Sequence, residues 1–135
     1  MVGNPNTWPE DDIAATRRLL QPQGPVILVG HSYGGAIISV DGNAGNVAGL
    51  MYIGAFPPEK GESLGGLLSK YPLEIWGSCR PPKTTRCPRQ RFFAKRANRK
   101  ATGRKGSHAI FISQPKAVAD VIEAAAKGSA KKSQR

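Results

Sequence analysis

Five consecutive residues, Gly30-His31-Ser32-Tyr33-Gly34, carry the side chain with the clearest chemical use. A serine hydroxyl is a weak nucleophile until a base takes its proton. It also needs N–H groups to stabilise the oxyanion that forms when it attacks an acyl carbon. The G-x-S-x-G spacing suits both needs. A sharp turn exposes the serine, glycines on either side leave it room, and the backbone N–H of Tyr33, the residue after it, is a natural oxyanion donor. In a chain with 16 glycines the letters alone say little. The setting says more, because Pro25-Val26-Ile27-Leu28-Val29 precedes the turn and Ala36-Ile37-Ile38 follows it. That order is strand, turn, helix, with Ser32 at the apex; the plain alternative is a Gly/Ser turn without chemistry.

The chain offers two histidines as the base. His31 is fixed beside the serine in the same turn, where its side chain is poorly placed to face Ser32. His108 lies in Lys105-Gly106-Ser107-His108-Ala109, ahead of a final helix, and is the predicted base; without the turn motif it would read as a surface-loop histidine. A carboxylate should fix the tautomer of that base and stabilise its cation. Between Ser32 and His108 stand Asp41, Glu59, Glu62 and Glu74. Asp41 ends the helix after the turn and points away, Glu59 and Glu62 lie in a loop able to reach the site, and no apolar strand ends in an acid. The catalytic acid is therefore unknown. Cys79 and Cys87, spaced C-x7-C, fit no common zinc pattern, and acyl transfer by a serine and a histidine calls for neither metal nor cofactor.

The elements that must position these groups are legible. Thr7-Trp8-Pro9-Glu10 reads as a capping box opening a helix from about Trp8 to Leu20, with Ile13, Thr16 or Arg17, and Leu20 on one face. Val26 to Val29 is apolar at every position, which predicts a strand buried on both sides in a parallel sheet. Gly34 to about Asp41 predicts a helix, Asp41 to Asn46 a turn, and Val47 to Ile53 a second strand. Leu64 to Lys70 and Arg91 to Ala97 predict short helices. Ser113-Gln114-Pro115 opens a last helix with Val118, Val121, Ile122 and Ala125 at i, i+3, i+4, i+7, and Lys127 to Arg135 reads as a frayed basic tail. The expected division is a core portion over 1–76, a basic irregular segment over 77–105, the histidine loop and helix over 106–127, and the tail over 128–135.

The 135 residues allow one small domain. A mean hydropathy of −0.36 and the lack of a long apolar run or a signal-like N-terminus predict a soluble, cytoplasmic protein with reduced cysteines and no membrane contact. The net charge of +11 is concentrated. Cys79 to Lys105 contains eleven basic residues and no acidic one, leaving nine of each elsewhere. Such a block raises the possibility of an anionic partner. Its aromatics, Phe92 and Phe93, are adjacent rather than interleaved with the basic residues, so nucleic acid is not expected and a solvated basic loop is.

These residues resemble the α/β-hydrolase superfamily, in particular its small serine esterase-like members. The likeness runs through Asp11 to Leu20, the whole turn motif, Asn46 to Tyr52 with Ala55-Phe56, Gly61 to Leu64, Gln90 to Ala97, and Gly106 to Ala126. It implies an α/β fold with a parallel sheet and flanking helices, Ser32 as nucleophile and His108 as base. It further implies cleavage of small carboxylic esters. The resemblance also implies strands before the first helix, a lid after the second strand and an acid-bearing strand. This sequence does not show them, which predicts a truncated, spliced or partly frame-shifted relative of a larger hydrolase. Two other functions follow as alternatives: an inactive remnant of that fold, or a module binding an anionic partner through the basic segment. Oligomeric state and substrate identity are not legible.

Overall fold

A computed structural model describes residues 3, 5–21, 24–42, 44–59, 61–70, 88–96 and 102–133. Glu74, Cys79, Cys87 and most of the basic segment lie outside these residues. The first helix, α1, spans Pro9–Leu20. Proline is well tolerated there because its missing N–H would have had no helical partner. The predicted capping box does not form. Trp8 occupies the N-cap without a side-chain bond, and the Thr7 hydroxyl donates instead to Asp11. The reaching-back role falls to Asp12, whose Oδ1 accepts the Asn6 N–H at 3.0 Å. The buried face is also rotated from the expected one: it carries Asp12, Ala15, Thr16 and Leu20, with Ile13 half-buried and Arg17 exposed.

Strand β1 (Val26–His31) leads through Ser32 and Tyr33 into α2 (Gly34–Val40), and a turn returns the chain to β2 (Val47–Ile53). Among the described residues the sheet has these two strands, parallel, with Ile27 opposite Gly49 and Gly30 opposite Tyr52. A β-α-β crossover of this kind brings both carboxyl ends to one edge. Single turns and short helices follow: α3 (Leu64–Lys70), α4 (Pro88–Arg96) and α5 (Ile110–Ser113). The last helix, α6 (Pro115–Ser133), continues through most of the stretch predicted to fray. An ion pair from Lys127 to Glu123 and the Ser129 hydroxyl, which bonds Ala125 and lies 3.4 Å from the Ala48 carbonyl, support that extension.

The strand pleat separates the two helix layers. Leu50 and Tyr52 face α2: a Cβ at Gly42 would lie 2.6 Å from Leu50, and the Tyr52 hydroxyl bonds Ser39 at 2.9 Å. Gly49 faces the other way, toward Ser129 of α6. Helix α1 packs on α2. Two side-chain links tie them, Arg17 to Asp41 at 2.8 Å and the Tyr33 hydroxyl to Asp12 Oδ2 at 3.0 Å. The Asn46 amide caps the end of α1 through the Leu20 carbonyl. The expectation that β1 is buried on both sides is not met. Val26 to Leu28 are half-buried and Val29 is 40% exposed, because α6 covers its face of the sheet only partly.

Candidate active site

The backbone of Ser32 is the most distinctive local feature of the fold. Its φ is +53°, in the left-handed region that L residues other than Gly, Asn and Asp seldom adopt. Neighbouring bonds enforce it. The Ser32 N–H donates to the Ile53 carbonyl at 3.2 Å, extending the parallel ladder by one residue, and the Ser32 carbonyl accepts the Gly35 N–H at 3.0 Å. The chain thus leaves the strand and enters the helix within two residues. The Tyr33 N–H, at the start of α2, donates to no group among the described residues.

The two motif glycines do not contribute equally. At Gly30 a Cβ would lie 2.6 Å from the Gly34 carbonyl oxygen, so the turn cannot close over a side chain. At Gly34 a Cβ would meet nothing within 4 Å. The second position that must stay small is Gly35, where a Cβ would lie 2.6 Å from that of Ala55. The motif lettering therefore misplaces one steric constraint by a residue.

His108 reaches the same edge from the other end of the chain. It rests over Gly54, just past β2: a Cβ at Gly54 would lie 3.2 Å from His108 Nδ1. Gly54, at φ +55°, is thus doubly constrained, by its backbone and by the imidazole above it. The loop carrying His108 is closed by the Gln114 amide, which donates to the Lys105 carbonyl. Ser32 and His108 share the carboxyl edge of the sheet, the usual location of ligand sites in parallel α/β folds. No hydrogen bond joins their side chains among the described residues; such bonds often tighten only when substrate is bound.

Of the four candidate carboxylates, Glu74 lies outside the described residues and the other three are committed elsewhere. Asp41 pairs with Arg17 across the helix layer, away from the edge as expected. Glu59 and Glu62, read as able to reach the site, instead hold Arg96 of α4, at 3.1 and 2.6 Å. That fork keeps the Glu62 carboxyl below its ordinary range, first through the hydrogen bond from Arg96 and then through the Glu59 N–H. Asp12 was not singled out in the sequence, yet it is 1% exposed and holds the phenol of Tyr33. That bond and partial burial raise the Tyr33 phenol above its usual value, burial contributing most. No carboxylate among the described residues bonds His108. No three His, Cys, Asp or Glu side chains among them cluster into a metal cradle.

A carbendazim hydrolyzing esterase of Nocardioides sp. (strain SG-4G) is 53% identical over 47 residues, which cover 33% of this chain and 19% of that protein. The match therefore spans about a fifth of the relative's length. No solved structure matches significantly. No helix among the described residues is long and apolar enough to cross a membrane. The signature of the alpha/beta hydrolase family matches residues 2–101, spanning the turn at Ser32 and both strands, and the chain belongs to that family.

Proposed function

We propose that the chain is a serine hydrolase of small carboxylic esters, with Ser32 as nucleophile, His108 as general base and the Tyr33 N–H as one oxyanion donor. The observation that carries this reading is the left-handed Ser32 at a strand-to-helix junction on the edge that His108 also occupies. Family membership and the partial match to an esterase support it. In the proposed cycle the Ser32 Oγ attacks the acyl carbon while its proton passes to His108. The carbonyl oxygen becomes an oxyanion facing the Tyr33 N–H. Collapse expels the alcohol, which takes the proton from His108. Water, deprotonated in turn by His108, then hydrolyses the acyl-serine and restores both groups. None of these steps calls on a cofactor.

Fluorophosphonate labelling tests the assignment. Wild-type protein should label at Ser32 and hydrolyse a short p-nitrophenyl ester. Ser32→Ala should abolish labelling, and Ser32→Ala and His108→Ala should each lower kcat/KM by at least about 10³. One observation favours a second reading, a non-catalytic member of the family: no carboxylate among the described residues bonds His108. A protein that unfolds cooperatively but neither labels nor turns over would establish that reading instead.

A further inference from the structure

The residue between glycine and serine in the motif has a partner far away in sequence. Gly30 points toward α2, so the next side chain, His31, projects from the opposite face at the end of β1. There its Nε2 lies 3.0 Å from the backbone carbonyl of His108. A carbonyl only accepts, so Nε2 carries the hydrogen and donates. The two imidazoles also pack against each other, with centroids 4.6 Å apart and planes tilted by 44°. The His31 ring meets Phe111 of α5 edge-on at 4.7 Å. The His108 side chain itself has no hydrogen bond to a described residue. Beside the Gln114–Lys105 bond that closes its loop, the contacts His108 itself makes through its carbonyl and through ring packing lead to His31.

We infer that His31 is a positioning residue for His108: it holds the base's loop at the sheet edge from the position adjacent to the nucleophile. Nucleophile and base are then registered to one another by two consecutive residues, Ser32 presenting the hydroxyl and His31 gripping the base. Both the neutral Nε2–H tautomer and the imidazolium donate to a carbonyl, so the grip does not depend on the charge of His31. The inference rests on the hydrolase reading for its catalytic meaning, but the grip is measurable without turnover.

The experiment compares His31→Leu, which keeps apolar bulk against Phe111 and removes the donor, with His31→Gln, whose amide nitrogen reaches the position of Nε2. Amide hydrogen exchange over residues 106–112 reads the grip, and kcat and KM on p-nitrophenyl acetate read its consequence. H31L should speed exchange in that segment and lower kcat, each by about three- to tenfold, the worth of one hydrogen bond, with KM within about twofold. H31Q should recover most of both losses. Unchanged exchange and kcat in H31L, or H31Q behaving like H31L, would overturn the assignment. Should H31L fail to fold, His31→Asn, whose amide stops short of the carbonyl, replaces it against H31Q. A wild-type protein that neither labels nor turns over would sink the hydrolase reading, while exchange in the variants would still decide for or against the grip.

Discussion

At the residue scale, Ser32 is held in a conformation its own chemistry disfavours. A left-handed serine costs about 1–2 kcal/mol relative to glycine, which has no Cβ to clash. Ser32→Gly should therefore be more stable than Ser32→Ala by about 1 kcal/mol, although both remove the hydroxyl, and thermal denaturation of the pair measures that difference directly. The flanking glycines separate in the same assay. Gly30→Ala and Gly35→Ala each force a Cβ to within 2.6 Å of a neighbour and should cost about 1–3 kcal/mol. Gly34→Ala meets open space in a helix and should be neutral or stabilising by up to about 1 kcal/mol. A motif read from letters would rank Gly34 with Gly30. Ser32 itself was legible because its setting is local, an apolar strand before it and an apolar helix after. Asp12 and the grip of His31 were not, because their partners lie 21 and 77 residues away and no local pattern marks them.

At the scale of elements, the apolar runs and periodicity placed β1, α2, β2 and α3 to within two residues, since each is decided by neighbours in sequence. The start of α1 differed because the buried Asp12 holds the preceding Asn6 N–H, while the Asp11 and Asp12 N–H groups turn back to the Trp8 carbonyl, and the Thr7–Glu10 pair does not form. The length of α6 differed because the basic, small-residue stretch after Lys127 is fixed by Ser129 against Ala48, a tertiary contact. The docking of α4 is of this second kind. Phe93 is 1% exposed and meets Phe56 edge-on at 5.2 Å, and beyond it Arg96 forks onto Glu59 and Glu62. A carboxyl whose folded pKa lies below its unfolded value stabilises at pH above the unfolded value and loses that contribution as pH falls through the folded one. Glu62 is such a group, its unfolded reference being 4.5. Wild type should thus exceed Glu62→Gln in stability by no more than about 1 kcal/mol at neutral pH, the scale of a partly solvated ion pair. The gap should close as pH drops below the ordinary carboxylate range. Chemical denaturation of both proteins between neutral and strongly acidic pH checks the sign.

At the scale of the whole molecule, the two faces of the sheet are unequally sealed. On the α2 side the helix layer buries Ala15, Leu20, Ile37 and Ile38, and the Arg17–Asp41 and Tyr33–Asp12 links fasten it. On the α6 side Val118, Val121, Ile122 and Ala125 are half-buried and Val29 is 40% exposed. Apolar area removed from water is the main source of stability, so the α6 layer contributes less and should open first. Ile37→Ala should then lower global stability by about 2–4 kcal/mol, the cost of a buried methyl-rich side chain plus its cavity. Ile122→Ala should cost about half as much or less and should speed exchange in α6 while leaving β1 and α2 protected. Because His108 precedes α5 and α6, that opening would also release the His108 loop from Gly54 while Ser32 stays locked in its turn. Amide exchange resolved by peptide separates the outcomes: protection lost together in α6 and α2 of the Ile122→Ala variant would show a single cooperative unit, whereas loss confined to residues 102–133 would show that Ser32 and His108 belong to layers of different stability.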